Sequence, residues 1–332
     1  MKIAVIDDYQ DAFRTLSHYP KLKDHQVTVF SDAVNDPAKV AERLNGFDAV
    51  ILTQQRTFLP RKLVEQLKTI KVIAQTGAHV AHIDLAACTE KGIAVLAGGG
   101  SGGRPNPTAE LTWGLILAAI RHIPFEVAQM KAGHWQSTLG TTLAGKTLGI
   151  YAFGKIGSIV ATVGRAFGMK VVCFGREGSL KRAAEAGFEV AASREAFFAE
   201  ADVLSLHIPL NGETRGIVKA ADLARMKPSA LIVNTSRAGL IEKGALEAAL
   251  KNGRPGFGAI DVFEEEPVLG SSHPLLSMKN VVCTPHLGYV TRETYEAYYD
   301  GPVQNLLAFA AGKPQHVANP EVVGGKPGTA SH

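Results

Sequence analysis

The feature that most constrains the fold is a regular alternation of short β-branched segments with longer segments of helical periodicity. Five such segments lie in the first hundred residues, and they read KIAVI, QVTVF, AVILT, KVIAQ and IAVLA. Parallel strands need a long crossover between them, so strands that alternate with helices predict a parallel α/β sheet. The first hundred residues therefore predict one α/β unit.

A second alternation of the same kind begins near residue 147. Its six predicted strands read TLGIYAF, MKVVCF, DVLSLHIP, ALIVNTS, FGAIDVF and VVCTPH. Between the two series, residues 97–107 read AGGGSGGRPNP, a composition that excludes helix and central strand and indicates a crossover between domains. A long helical segment follows, which we expect Thr108 to cap and Pro124 to kink or divide. Residues 291–311 are again predicted to be helical.

Composition narrows the classes of partner. The chain has 332 residues, 46% of them hydrophobic, which is enough for two cores. Its 35 basic and 31 acidic residues give a net charge of +4 without Lys/Arg runs, so nucleic acid is not favoured as a partner. No apolar run approaches membrane-spanning length, and the first ten residues, MKIAVIDDYQ, are unlike a signal peptide. We expect a cytoplasmic protein with no membrane partner.

Cysteine and histidine usage argues against disulfides and against a metal. Cys88, Cys173 and Cys283 are an odd number, widely spaced and set among apolar residues, as in proteins of a reducing compartment. No Cys or His pair has ligand spacing, so we predict no metal site.

Residues 148–158, LGIYAFGKIGS, have the rhythm of a dinucleotide-binding glycine turn, with Ala152 in place of the first glycine. The motif needs Gly154 where the backbone approaches a pyrophosphate and Gly157 where the helix packs on the strand. Alanine costs least at the first position if its φ stays negative. The following helix is predicted to bury a stripe formed by Ile156, Ile159, Val160, Val163 and Phe167. A tight strand-to-helix turn without a ligand is the alternative.

The residues after the next strand bear on the cofactor. An acid that binds the adenosine ribose is expected about 20 residues beyond the glycine turn, but the position holds Gly175. A glycine leaves room for a 2′-phosphate, which Arg176 with Ser179 and Lys181 could hold. We therefore favour NADP over NAD. In the alternative, Arg176 faces solvent and stacks on adenine while Glu177 reaches the ribose.

Three later motifs add to the glycine turn and to LHIPL at 206–210. They are NTSRAGLI at 234–241, DVFEEEP at 261–267 and TPHLGY at 284–289. Together they resemble the D-isomer-specific 2-hydroxyacid dehydrogenases, the family of phosphoglycerate dehydrogenase and the glyoxylate/hydroxypyruvate reductases. The match covers residues 72–319 clearly. It implies an α/β protein with two Rossmann-like domains. A doubly wound cofactor domain, residues 106–289, is inserted into a flavodoxin-like substrate domain formed by residues 1–105 and 290–332. It also implies a homodimer formed through the cofactor domains.

The resemblance assigns three catalytic residues, Arg237, Glu266 and His286. The guanidinium of Arg237 offers a planar fork of donors for the carboxylate of a 2-oxo acid. His286 would deliver a proton during reduction and accept one in reverse, and Glu266 would orient its ring and keep it charged. The alternatives are that the glutamate is Glu264 or Glu265 in a solvated turn, and that His286 is a core histidine.

The resemblance also assigns binding residues. Cofactor contacts would come from Gly154, Lys155, Ile156, Gly157, Arg176, His207, Pro209, Thr214, Thr235 and Asp261, with the last two beside the nicotinamide. Substrate contacts would come from Gly77, Ala78, Arg56 and Arg237. A surface arginine is an equally good interpretation of Arg56.

Two functions from different classes fit these residues. The first is an enzyme that transfers hydride from NAD(P)H to a small 2-oxo acid and forms the D-2-hydroxy acid. The second is a nicotinamide-dinucleotide-sensing binding protein, similar to a corepressor, without turnover, because the fold alone does not decide function. A methyltransferase has a similar glycine turn, but the later motifs count against it.

Overall fold

The computed structural model describes residues 1–100 and 106–324. The chain divides into two compact units, which we call unit 1 (residues 1–105 and 291–332) and unit 2 (residues 106–290). Residues 101–105 of the glycine-rich crossover and the last eight residues lie outside the described part of the chain.

All eleven predicted strands are present, together with one that was not predicted. The strands are β1 (Lys2–Ile6), β2 (Gln26–Val29), β3 (Ala49–Leu52), β4 (Val72–Gln75), β5 (Ala94–Ala97), β6 (Thr147–Tyr151), β7 (Lys170–Phe174), β8 (Glu189–Val190), β9 (Val203–Leu206), β10 (Leu231–Asn234), β11 (Phe257–Ile260) and β12 (Val281–Cys283). Strand β8 was missed because it has two residues, both exposed, and therefore no apolar pattern.

The helices fill the connections between these strands. They are α1 (Pro37–Leu44), α2 (Arg61–Val64), α3 (Leu85–Glu90), α4 (Pro107–Ile120), α5 (Ile123–Lys131), α6 (Lys155–Ala166), α7 (Glu177–Glu185), α8 (Arg194–Glu200), α9 (Ala220–Arg225), α10 (Ala245–Lys251) and α11 (Arg292–Ala310). Thr291 caps α11 by accepting a hydrogen bond from the Thr294 amide, at the predicted start of that helix.

Unit 1 contains a five-stranded parallel sheet in the order β2-β1-β3-β4-β5, which is the flavodoxin-like order. Strands β3 and β4 are fully buried, as the continuous apolar runs predict. The strand order reverses between β1 and β3, so a ligand of this unit is expected outside the carboxyl ends of those two strands.

Unit 2 contains a seven-stranded parallel sheet in the order β12-β11-β10-β9-β6-β7-β8. The order reverses between β6 and β9, which is the doubly wound arrangement of dinucleotide-binding domains. The carboxyl ends of β6 and β9 therefore mark the expected ligand crevice of this unit.

The predicted long helix after the crossover is divided at Pro124, as expected. Helix α4 ends at Ile120, His122 takes a left-handed conformation, and α5 begins one residue before the proline at an angle of 59° to α4. The expected cap was wrong, because Asn106 holds the N-cap position and Thr108 lies in the first turn. No single described helix is long and apolar enough to cross a membrane, although this bent pair passes by length and composition together.

The predicted buried stripe of α6 is partly wrong. Ile159 and Phe167 are 38% and 42% exposed, whereas Val160 is fully buried. Gly157, Ala161 and Gly164 form the rest of the buried face, and a Cβ at Gly164 would overlap the side chain of Leu148 on β6. Small residues draw the helix close to the sheet, so the face that carries the glycines is buried and the larger apolar residues lie beside it.

His82 is a buried polar residue of unit 1 that lies between β4 and α3. The residue is only 5% exposed, and neither ring nitrogen has a hydrogen-bond partner among residues 1–100 and 106–324. Burial lowers the pKa of this imidazole from 6.5 to about 4.

We expect His82→Leu to make unfolding less sensitive to acid. Between pH 6.5 and about 4, His82 is protonated only in the unfolded chain, so the unfolded state binds more protons and stability falls as the pH falls. Thermal unfolding followed across this range should show a smaller drop in midpoint for the variant than for the wild type. His134→Leu, at an exposed histidine, is the control. Equal drops in His82→Leu and wild type would contradict the prediction.

Candidate active site

The predicted functional residues of unit 2 gather at one edge of its sheet. Each lies within three residues of the carboxyl end of a strand, where doubly wound sheets bind their ligands. In chain order these residues are Ala152 after β6, Gly175 after β7, His207 after β9, Thr235 and Arg237 after β10, Asp261 after β11 and His286 after β12.

The glycine turn after β6 forms with an alanine in an unfavourable conformation. Ala152 has a φ of +76°, so the negative φ at which alanine would cost least is not adopted. Its amide donates to the carbonyl of Phe174 at 2.8 Å, and its own carbonyl accepts from Gly154 at 3.0 Å. These bonds hold the turn in the left-handed region, which costs an L-residue about 1–2 kcal/mol.

The other two glycines of the turn have separate physical roles. A Cβ at Gly157 would overlap the carbonyl oxygen of Ala152, so only glycine lets α6 start this close to β6. At Gly154 a Cβ would meet nothing within 4 Å, so the space beside the turn is open. Gly154 caps α6, and the first amides of this 12-residue helix can therefore bind a phosphate in that space. Lys155 is exposed and Ile156 half-buried in the same turn.

We expect Ala152→Gly to stabilise the protein by about 1 kcal/mol, because glycine adopts a positive φ without the steric cost that alanine has. Chemical denaturation measures the gain. Ala184→Gly, the same change at an exposed position of α7, is the control and should destabilise the protein by about 0.5–1 kcal/mol. A loss of stability in Ala152→Gly would show that the left-handed alanine carries no strain.

A glutamate and a histidine form the central pair of the candidate site. Oε2 of Glu266 lies 2.6 Å from Nδ1 of His286, and Oε1 of Glu266 accepts the amide of Phe263 at 2.9 Å. An ionised carboxylate only accepts hydrogen bonds, so Nδ1 carries a proton and Nε2 is the ring nitrogen that Glu266 does not contact. The side chains are 32% and 25% exposed, so this histidine is not a core residue.

The structure separates Glu266 from its two acidic neighbours. Glu264 contacts a different histidine, with Oε2 3.2 Å from Nε2 of His273, and Glu265 is exposed. Burial raises the pKa of Glu266, but the hydrogen bond and charge of His286 outweigh it and hold the pKa below its ordinary value. Glu266 is therefore ionised at neutral pH.

Arg237 lies in the loop after β10, and its side chain is exposed. The loop is held by Asn234, which donates from Nδ2 to the carbonyl of Arg237 at 2.9 Å and accepts the amide of Ser236 at 3.0 Å. The charge of Arg237 is one of the influences that lower the pKa of Glu266. The guanidinium is thus electrostatically linked to the Glu266–His286 pair.

Asp261 is fully buried and holds the loop that carries His286. Its carboxylate accepts from the hydroxyl of Thr284 at 2.6 Å and from the amides of Leu287 and Gly288 at 2.7 Å and 2.9 Å. Burial raises the pKa of this carboxyl group, against the effect of these bonds. His286 has a φ of +52° in that loop, so Asp261 fixes a conformation that the histidine would not adopt alone.

Thr235 makes a contact that sequence reasoning missed. Its hydroxyl oxygen lies 2.8 Å from that of Thr112 on α4, and the two residues are 123 positions apart. On the same helix, Thr108 donates its hydroxyl to the carbonyl of Gly288 at 2.8 Å. The only sequence signal was a pair of threonines four residues apart at the start of a helix.

Arg176, which was predicted to contact the adenosine ribose, forms an ion pair that was also missed. Its Nη2 lies 2.6 Å from Oε2 of Glu213, and the two side chains are 70% and 80% exposed. Ser179 was expected to help hold a 2′-phosphate, but it is buried and its Oγ accepts the amide of Phe153 at 2.7 Å. Of the three residues proposed for that phosphate, Arg176 and Lys181 are therefore the exposed ones.

The loop after β9 brings together three predicted residues. Thr214 is buried and donates its hydroxyl to the carbonyl of the exposed Pro209 at 2.7 Å, which closes the turn. His207 has two shielded ring nitrogens with no hydrogen-bond partner in the described chain, and burial lowers its pKa to about 4. A neutral orphaned imidazole beside the strand reversal fits a site that a polar cofactor completes.

The substrate residues predicted in unit 1 follow β3 and β4. Gly77 has a φ of +92° and accepts the amide of Gly98 at 2.7 Å, while Ala78 is exposed. Arg56 is half-buried and donates to the carbonyl of Asp7 and to the hydroxyl of Tyr295, the latter at 3.0 Å. Its guanidinium lies over the ring of Tyr9 at 4.5 Å. The alternative of a plain surface arginine is therefore wrong.

Comparisons with known proteins agree with this geometry. A family model described as "D-isomer specific 2-hydroxyacid dehydrogenase, NAD binding domain" matches residues 113–288. The chain is similar to a glyoxylate reductase of Aeropyrum pernix, with 40% identity over 79% of this chain and 80% of the relative. A glyoxylate reductase of Thermococcus litoralis is 34% identical over 92% of this chain and 94% of the relative. Among solved structures, a phosphoglycerate oxidoreductase of Vibrio cholerae O395 is 47% identical, with a TM-score of 0.88 and coverage of 94% and 99%.

Proposed function

The chain belongs to the D-isomer-specific 2-hydroxyacid dehydrogenase family, and we propose that it reduces glyoxylate or a similarly small 2-oxo acid with NADPH. As a member of this family it is a nicotinamide-dependent oxidoreductase that transfers hydride between the cofactor and a 2-oxo or D-2-hydroxy acid. The relatives carry enzyme names, which gives no support to a dinucleotide sensor or a methyltransferase. The observation that carries the proposal is the 2.6 Å contact between Glu266 and His286.

The catalytic residues would act through protons and charge. His286 donates the proton on Nε2 to the oxygen of the reduced carbonyl, and Glu266 holds the ring through Nδ1 and stabilises its charged form. Arg237 binds the carboxylate of the substrate and polarises its carbonyl through its planar fork of donors. The nicotinamide, when bound, supplies the hydride.

The cofactor would be bound along the carboxyl edge of unit 2. A pyrophosphate would fit the open space beside Gly154, where the amides of Lys155 and Ile156 in the first turn of α6 would bind it, and Gly157 lets that helix start close to β6. His207, Pro209 and Thr214 line the β9 loop, and Thr235 and Asp261 hold the nicotinamide end. We assign the cofactor domain to unit 2 and the substrate domain to unit 1, where Gly77, Ala78 and Arg56 would contact the acid.

We place dimerisation on the α5 region of unit 2. Six large apolar side chains there are exposed, between 46% and 94%: Ile123, Phe125, Val127, Met130, Trp135 and Leu139. A monomer rarely exposes so many together, and a second copy of the chain would cover them. The three free cysteines support a reducing compartment, so we propose a cytoplasmic homodimer.

We expect purified protein to oxidise NADPH in the presence of glyoxylate, and His286→Asn to lower kcat by about 10²-fold or more. Asparagine cannot donate the proton, while cofactor binding involves other residues. Loss of NADPH absorbance across a panel of 2-oxo acids measures turnover, and calorimetry measures the cofactor Kd, which should not change.

His273→Asn is the matched control, because His273 also pairs with a glutamate but lies outside the candidate site. It should leave kcat unchanged. Full turnover in His286→Asn would remove this residue from the mechanism, and tight NADPH binding without turnover on any 2-oxo acid would contradict the substrate class.

We expect Arg176→Ala to weaken binding of NADPH by about tenfold and binding of NADH much less. The reason is that only NADPH has a 2′-phosphate for the guanidinium to bind. Calorimetric Kd values for both cofactors measure the difference. Arg225→Ala, at an exposed arginine of α9, is the control and should change neither Kd. Equal weakening of both cofactors would contradict the phosphate assignment.

A further inference from the structure

A short chain of hydroxyl groups connects helix α4 to the candidate nicotinamide site. Thr112 donates its hydroxyl to the carbonyl oxygen of Thr108 at 2.7 Å, and its oxygen lies 2.8 Å from the hydroxyl of Thr235. Thr112 is fully buried and Thr235 is 5% exposed. Water therefore does not compete for these bonds.

The direction of each bond follows from counting protons. A carbonyl oxygen can only accept, so the single proton of the Thr112 hydroxyl points to Thr108. The bond between Thr112 and Thr235 must then use the proton of Thr235. The Thr235 hydroxyl has no other hydrogen-bond partner in the described part of the chain, so its lone pairs are unused and it has no proton left to donate.

We propose that Thr112 is a positioning residue that makes Thr235 a pure hydrogen-bond acceptor for the carboxamide N–H of the nicotinamide. The inference rests on the proposed function, because Thr235 must lie beside the nicotinamide. The amide end of the ring carries both a donor and an acceptor. A threonine that can only accept binds the N–H of the carboxamide and not its carbonyl oxygen. This choice fixes which face of the ring meets the substrate.

The surrounding contacts strengthen this assignment. The amide of Asp261 donates to the carbonyl of Asn234 at 3.0 Å, so Asp261 and Thr235 stand at neighbouring strand ends. Three donors from its own loop already occupy most of the lone pairs of the Asp261 carboxylate. At this edge the buried hydroxyl of Thr235 is therefore an acceptor with unused capacity, and Thr112 determines its direction.

The test compares binding of NADPH with binding of its reduced 3-acetylpyridine analogue, in which a methyl ketone replaces the amide and no N–H remains. Calorimetry on the whole chain gives both Kd values. We expect the wild type to bind NADPH about three- to tenfold more tightly, the usual value of one hydrogen bond. In Thr112→Val the hydroxyl of Thr235 is released and can donate to the ketone, so the ratio of the two Kd values should fall towards one.

Two variants serve as controls. Thr112→Ser keeps the hydroxyl and should keep the wild-type ratio. Thr162→Val removes an exposed hydroxyl on α6 that makes the same bond to a carbonyl four residues earlier, at 2.9 Å, and should also leave the ratio unchanged. Thr112→Ala replaces the valine variant if the latter does not fold.

The outcomes are distinguishable. A wild-type ratio near one, or an unchanged ratio in Thr112→Val, overturns the role of Thr112. If Thr112 has only a structural role, Thr112→Val weakens binding of both ligands equally and leaves the ratio of the Kd values unchanged. That result also overturns the role proposed for Thr112. If the wild type binds no reduced nicotinamide cofactor, the proposed function fails as well. If Thr235→Val brings the ratio of the two Kd values to one and Thr112→Val does not, only the inference about Thr112 fails.

Discussion

A parallel strand that is buried on both faces can carry polar functional groups only where it ends, and this constraint arranges both units. At the carboxyl ends the chain must turn sharply to enter the next connection. Several of these turns use a left-handed residue: Asp7, Gln54, Gly77 and Gly98 in unit 1, and Ala152 and His286 in unit 2. The candidate functional side chains lie in or beside such turns. Rigid strands therefore position them, and the loops need few residues to do so.

The sequence predicted the strands well because each is a short apolar run between breakers, and that signal is local. It also singled out Glu266 from three consecutive glutamates, and the structure gives a reason for the choice. Glu266 turns back to the Phe263 amide and to His286, whereas Glu264 contacts His273. No periodicity could make that distinction, and only the register of the motif indicated it. Its catalytic role stays a prediction.

The features that sequence reasoning missed depend on contacts between distant residues. The contact between Thr112 and Thr235 spans 123 positions, and the ion pair between Arg176 and Glu213 spans 37. The positive φ at Ala152 could not be foreseen, because the turn is set by bonds to Phe174 and Gly154, not by the preference of alanine. The exposure of Ile159 and Phe167 has a similar origin, since glycines brought α6 too close to the sheet for larger residues to lie beneath it. Tertiary packing overrode local preference in both cases.

Arg176 and Glu213, at the proposed adenosine end, differ from the Glu266–His286 pair in how much of each side chain is exposed, and therefore in how replacement affects stability. Arg176 and Glu213 contact each other at the surface, with most of each side chain in water. Exchanges of exposed residues usually alter stability by less than about 0.5 kcal/mol. Either residue can therefore be replaced at little cost to the free energy of unfolding. The buried threonines and Asp261 tolerate replacement less well, because loss of one partner leaves a buried polar group without a hydrogen bond.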